Sequence, residues 1–361
     1  TNDGCWEIII PGRTDFCFMR LSLMLCVEWA LNGGVSRTEG QEGGIETPDP
    51  RGFKTFDDVW QAFLKQLDEM VDWSVGWAME NMENRRILAP VPLLSALIEG
   101  TIESRRDMTA GGARFRTFAL LAEAAAHAID SLAAIKTVIF EQKQATIAEL
   151  CDALDANFEG FEPLRQRLLA APKYGNDDPA ADTVGQMVID AFTDLSTRYA
   201  AAYKEKRTFA CGVGTFSWYV AIGEGLGPSP DGRLASEAIS SNFSPALGRD
   251  VEGLPGAILS YGKMHKCNLP AGGPLDLRLN RRLIRGHDGL KRMAALLRSF
   301  VDTGGNMMTL TVADTEELRA AQREPENYKS LRVRMGGWLA YFTMLSRDQQ
   351  EHHILRQEGH A

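Results

Sequence analysis

The sequence predicts an α/β fold, and three stretches carry that prediction. From Phe56 onward, Val59, Trp60, Phe63, Leu67, Met70 and Val71 recur mostly three and four residues apart, the spacing of a long amphipathic helix. Residues 211–222 form a β-rich run bounded by glycines and read as a core strand. Residues 304–312 read as a short strand, and Thr315 opens a helix directly after it. Such alternation of strand and helix is the pattern of helices layered on a sheet.

Composition sets outer bounds. A chain of 361 residues, 44% hydrophobic, can bury a large core or divide into two domains. A net charge of −9 with no Lys/Arg cluster gives no footprint for nucleic acid. No apolar run approaches the ~20 residues of a membrane helix, so no membrane association is expected. Cys5, Cys17, Cys26, Cys151, Cys211 and Cys267 are scattered without a Cys-x-x-Cys pair, which argues against a metal site and for a reducing cytoplasm. Thr1 falls in what reads as ordered sequence, and the expectation is a fragment lacking its N-terminal half.

The elements follow in order. Residues 14–19 read as a loop feeding a helix over 21–31 that stops at Gly33-Gly34. Residues 35–55 are loop-like, and 93–100, beyond Pro90 and Pro92, read as a buried element. Gly111-Gly112-Ala113-Arg114 opens an Ala-rich helix through His127, a lone histidine that reads as a packed or capping group. Thr146 and Glu149 form a capping-box signature, and helices are expected over 161–171 and 183–204. Residues 223–227 lack phosphate-loop spacing and read as a turn, as does Pro230-Asp231-Gly232-Arg233. A helix over 288–300 is expected to turn Leu290, Met293, Leu297 and Phe300 inward. The last helix starts at Ser346, with Gln349 in capping-box position. His352, His353 and His360 read as a solvated terminus.

Two short motifs carry chemistry. Near one end lies Gly4-Cys5-Trp6-Glu7, and near the other Arg334-Met335-Gly336-Gly337-Trp338. In an extended segment Cys5 and Glu7 share a face, so a thiol and a carboxyl could act together on one small molecule. By themselves these residues also fit a buried structural cysteine and a Gly-Gly turn. Together they closely resemble the signatures of glycyl radical enzymes. Asp130-Ser131-Leu132-Ala133-Ala134-Ile135, Lys173-Tyr174-Gly175-Asn176-Asp177-Asp178-Pro179 and residues 244–250 extend the resemblance over essentially the whole chain.

The resemblance implies the C-terminal half of a ten-stranded α/β barrel, with residues 1–239 its second half and 240–361 the glycyl-radical domain. It places a stable radical on Gly337, supported by Arg334 and Trp338, a thiyl radical on Cys5, and acid/base work on Glu7. Glycine suits the radical because its α-carbon can flatten without a β-carbon to resist. No cofactor is expected to be bound. The radical would be installed after synthesis by a radical S-adenosylmethionine activating enzyme, the chief partner besides a small-molecule substrate. A cytoplasmic homodimer in anaerobic metabolism is expected.

The implied activity is lyase chemistry of the dehydratase-like branch, eliminating water, amine or sulfite. Where several relatives offer a small polar residue this chain has Phe16, Cys17 and Phe18, which predicts an apolar pocket, with Phe216 and Trp218 as further walls. That leaning makes an arylacetate decarboxylase the alternative. A pyruvate formate-lyase-type formate acetyltransferase fits less well, because Gly4 and Trp6 flank a single Cys5 instead of a second cysteine. A noncatalytic spare radical subunit is the remaining reading.

Overall fold

The computed structural model describes residues 2–3, 7–38, 43–335 and 338–358 of the chain. Two short strands come first, β1 (Asn2–Asp3) and β2 (Glu7–Ile8), paired antiparallel. The central sheet is parallel, in the order β3 (Thr14–Ser22), β4 (Phe115–Glu123) and β5 (Thr208–Val213). Parallel neighbours need long crossovers, and these supply the helices. Between β3 and β4 lie α1 (Leu23–Ala30), α2 (Phe56–Leu88), α3 (Pro92–Ser95) and α4 (Thr101–Ser104). Between β4 and β5 lie α5 (Ala125–Ala134), α6 (Ile147–Asp155), α7 (Glu162–Ala170) and α8 (Pro179–Ala200).

After the short α9 (Tyr219–Glu224), an isolated parallel bridge joins Gly212 of β5 to Gly272. The chain continues through α10 (Gly253–Lys263) into β6 (Leu275–Leu279), then α11 (Gly286–Asp302) and β7 (Met308–Val312), which pairs parallel with β6. It ends with α12 (Thr315–Arg323), the antiparallel pair β8 (Arg332–Arg334) and β9 (Leu339–Tyr341), and α13 (Arg347–Glu358).

One face of the central sheet carries the main core. Cys17 and Leu21 of β3, Phe118, Leu120 and Ala122 of β4, and Cys211 and Val213 of β5 pack there with α1, α2, α5 and α8. All ten residues of α5 are buried, so its run of alanines fits a helix enclosed on every side. The long α2 matches its apolar spacing, and the capping box at Thr146 forms as expected. Glu149 N–H donates to Thr146 Oγ1 at 3.1 Å, and Thr146 N–H donates to the Glu149 carboxylate at 2.7 Å.

Five expectations are corrected. Thr14–Ser22 is a strand, not a loop. The Ala-rich helix begins at Ala125, after Ala124 turns left-handed at φ 56°, and Phe115–Glu123 before it is the central strand. A parallel strand covered on both faces loses its apolar/polar alternation, so Phe118-Ala119-Leu120-Leu121-Ala122 looks helical in sequence. The strand expected over 211–222 is instead Thr208–Val213. The apolar residues of 93–100 do not bury: α3 is a single turn, and Leu93, Leu94 and Leu97 are exposed. In α11, Leu290 and Leu297 are exposed and Met293 half-buried. Its C-terminal part docks through Leu296, packed against the core, and Phe300, stacked on Tyr261 at 5.7 Å.

Candidate active site

The strands flanking the cysteine motif pair as a ladder, Asp3 opposite Glu7 and Asn2 opposite Ile8. Cys5 lies outside the described residues, and so does the side chain of Glu7. The other five cysteines are free. Burial pushes the Cys17 thiol up to about 11 and the Cys211 thiol up to about 12, as for packed structural thiols.

The second face of the central sheet differs from the core face. Register places Phe16, Phe18 and Arg20 of β3 beside Thr117, Ala119 and Leu121 of β4, with Ala210 and Gly212 of β5 beyond. Ala119, Leu121, Ala210 and Ala271 make a small separate cluster, with Phe16 and Phe216 packed against it. Small side chains here leave a shallow floor, and aromatic rings line it. Phe16 and Phe18 stack at 6.1 Å, Phe18 meets Phe216 at 5.4 Å, and Phe216 meets Trp218 at 4.8 Å. All four expected pocket residues thus form one continuous row, although Phe216 and Trp218 lie past the end of β5.

Backbone geometry aims Phe216 into this row. Its φ is 51°, a left-handed conformation that costs a bulky residue on the order of 1–3 kcal/mol. Buried partners hold it there. Thr215 N–H donates to Asn242 Oδ1 at 3.0 Å, and Asn242 N–H donates to Thr215 Oγ1 at 2.7 Å. Asn242 in turn donates to the Asp276 carboxylate at 2.7 Å.

Sequence reasoning missed two charged residues at the end of the row. Arg20 donates to the Glu123 carboxylate at 2.5 Å, and its guanidinium lies 4.2 Å from the centre of the Trp218 ring. Glu123 is 6% exposed, and burial pushes its carboxyl up to about 7, with Arg20 working against that shift. The two residues are far apart in sequence, so no local spacing announces the pair.

At the other motif, Met335 N–H donates to Trp338 O at 2.8 Å, closing the ladder that begins with Arg332 opposite Tyr341. Gly336 and Gly337, which join these two residues, lie outside the described residues. Arg334 is half-buried and pairs in register with Leu339, while Trp338 is exposed. Met335 itself is buried, its sulfur 3.2 Å from His353 Nε2 and 4.0 Å from the Tyr219 hydroxyl.

This corrects the reading of His352 and His353 as solvated, since each is 2% exposed. His352 stacks on Tyr219 at 3.9 Å, and its Nε2 lies 3.1 Å from Ile239 O. Arg278 donates to the Nδ1 and the carbonyl of His353. His360 lies outside the described residues. The polar composition of α13 hides this burial, because the partners come from α9 and β6.

His127 is a packed group, as expected. Its Nδ1 lies 2.6 Å from Asp231 Oδ2, and its Nε2 accepts from Ser240 N–H at 3.0 Å. Asp231 also accepts from Ser229 Oγ at 2.5 Å. Although burial opposes it, the neighbouring His127, Ser229 and Arg233 hold its carboxyl well below the usual range. Among the described residues no group of three or more His, Cys, Asp or Glu side chains is placed to hold a metal, and no helix is long and apolar enough to cross a membrane.

Comparison with known proteins places this arrangement. The family model for pyruvate formate lyase-like proteins matches residues 1–223, and that for the glycine radical domain matches 239–343. The chain is 34% identical over 364 residues to trans-4-hydroxy-L-proline dehydratase of Clostridioides difficile, covering 98% of this chain and 45% of the relative. It is 30% identical over 370 residues to isethionate sulfite-lyase of Oleidesulfovibrio alaskensis, covering 99% of this chain and 44% of the relative. The crystal structure of the C. difficile hydroxyproline dehydratase, with trans-4-hydroxy-L-proline bound, superposes with a TM-score of 0.90 at 31% identity, covering 98% of this chain and 44% of that one. The chain therefore spans about half the length of the curated relatives it matches. Its barrel-type α/β fold, its glycine radical domain and these relatives agree, and the chain belongs to the pyruvate formate lyase-like family of glycyl radical enzymes.

Proposed function

We propose that this chain carries the radical-bearing machinery of a glycyl radical lyase of the dehydratase type. The observation behind this reading is that one chain pairs both family matches, the first running through Cys5 and Glu7 and the second through Gly337. Residues 1–239 supply the cysteine loop and barrel strands, and residues 240–361 supply the radical domain.

In this reading a radical S-adenosylmethionine activating enzyme removes one hydrogen atom from the α-carbon of Gly337. Gly337 then takes the hydrogen of the Cys5 thiol, leaving a thiyl radical. The thiyl takes a hydrogen atom from a substrate carbon. Glu7 moves a proton as the neighbouring group departs as water, amine or sulfite. The product radical retakes hydrogen from Cys5, which regenerates the thiyl. Arg334 and Trp338 flank the radical turn, and Phe16, Phe18, Phe216 and Trp218 wall the substrate in. Closing such a site against water protects the radical intermediates. A cytoplasmic homodimer completes the reading.

The aromatic row also favours a second reading, decarboxylation of an arylacetate. Product analysis separates the two. Activated protein given trans-4-hydroxy-L-proline, isethionate and phenylacetate is expected to release water or sulfite from one of the first two. Carbon dioxide from phenylacetate, without elimination from either other compound, would replace the lyase reading with the decarboxylase.

A further inference from the structure

We propose that Arg20 is the specificity-determining residue of this site, receiving the anionic head group of a small organic acid, carboxylate or sulfonate, whose body lies along the aromatic row. The inference rests on the reading of the second sheet face as the substrate wall. It starts from position: Arg20 follows Phe16 and Phe18 on the same face of β3, at the two-residue steps of a strand.

Contacts then fix where the guanidinium sits. One N–H group goes to Glu123, and the Trp218 ring lies 4.2 Å away. Glu123 and the ring use one N–H and one face of a planar group that has five N–H donors. Those interactions orient the fork without filling it, and a two-oxygen anion is the ligand whose geometry matches the remaining edge. Trp218 ends the chain of ring contacts that runs back through Phe216 to Phe18. A molecule with an apolar body against those rings therefore presents its polar end to Arg20.

Glu123 tunes the strength of this hold. It is buried with Arg20 as its hydrogen-bond partner, so part of the Arg20 charge is already compensated. A free phosphate-like dianion is a poor match, since the buried carboxylate repels additional negative charge. A monoanion on an apolar body is the better one. A neutral diol would leave the Arg20 edge without an anionic partner.

Equilibrium binding to the chain tests this without any radical chemistry, so it can fail independently of the proposed reaction. Titration calorimetry would compare phenylacetate and phenylmethanesulfonate with neutral 2-phenylethanol. The acids are expected to bind more tightly. Arg20→Gln should weaken acid binding about tenfold or more, the scale of one charged hydrogen bond, and leave 2-phenylethanol unchanged. Arg20→Lys should keep the acid preference in part. Glu123→Gln retains an acceptor oxygen but removes the competing charge, so it should tighten acid binding severalfold, a gain that a purely structural role for the pair does not give. Equal binding of acids and alcohol, absence of binding by every probe, or an Arg20→Gln variant that is folded by circular dichroism with unchanged acid affinity would overturn the assignment. A preference for only one of the two acids narrows the head group and supports it.

Discussion

Alanine at position 5 is expected to remove turnover and keep the glycyl radical, whereas alanine at position 337 removes both. The asymmetry follows from the order of hydrogen transfers. In the proposed mechanism Gly337 would store the unpaired electron, so its replacement would leave nothing for the activating enzyme to make. Cys5 would relay it, so its loss would strand a radical that never reaches substrate. Turnover should fall by at least about 10⁶-fold in either variant, the lower end of enzymatic rate enhancement. Glu7→Gln should cost less, about 10²–10⁴-fold, as expected for a lost proton-transfer group. Anaerobic kinetics and spin counting on the activated protein would measure all three. Measurable turnover by the Cys5→Ala variant would sink the relay.

The second large effect is on stability. Asp231→Ala should destabilise the fold by about 3–5 kcal/mol, the scale of losing several hydrogen bonds to a buried charged group at about 1.5–3 kcal/mol each. Asp231 is 4% exposed and ties together His127 on α5, the Ser229 hydroxyl and Arg233 N–H. Removing it leaves the buried Arg233 without its neighbouring carboxylate, and His127 without the partner that fixes its tautomer for Ser240. Asp231→Asn keeps the shape and should cost less. Denaturant unfolding of the purified chain would decide, and a loss below about 1 kcal/mol would mean that the cluster is solvated.

The helices and turns were legible where the signal is local. Val59, Phe63 and Leu67 repeat within one element, and Thr146 with Glu149 forms a cap within four residues, so both survive as read. The strands β3 and β4 of the central sheet were not. Phe118 to Ala122 is apolar without alternation because β4 is enclosed on both faces, and its Ala and Leu content suits a helix equally well. In the candidate site, the aromatic row was legible through family resemblance, since Phe18 and Phe216 approach only through the fold. Arg20 and Glu123 were invisible because an ordinary-looking Arg and Glu on two different strands acquire meaning only through strand register. His352 and His353 were misread for a similar reason. The helix that carries them is polar throughout, and burial is imposed by Tyr219, Arg278 and Met335 from elsewhere in the chain.

The most direct test of the central claim is low-temperature electron paramagnetic resonance on the protein, activated anaerobically. The account predicts a doublet from the α-hydrogen of Gly337 that collapses when that hydrogen exchanges with deuterium, and no signal from Gly337→Ala. An activator that generates the radical on another glycyl radical enzyme but produces none here would contradict it, and would leave Gly336-Gly337 as the turn of an ordinary hairpin.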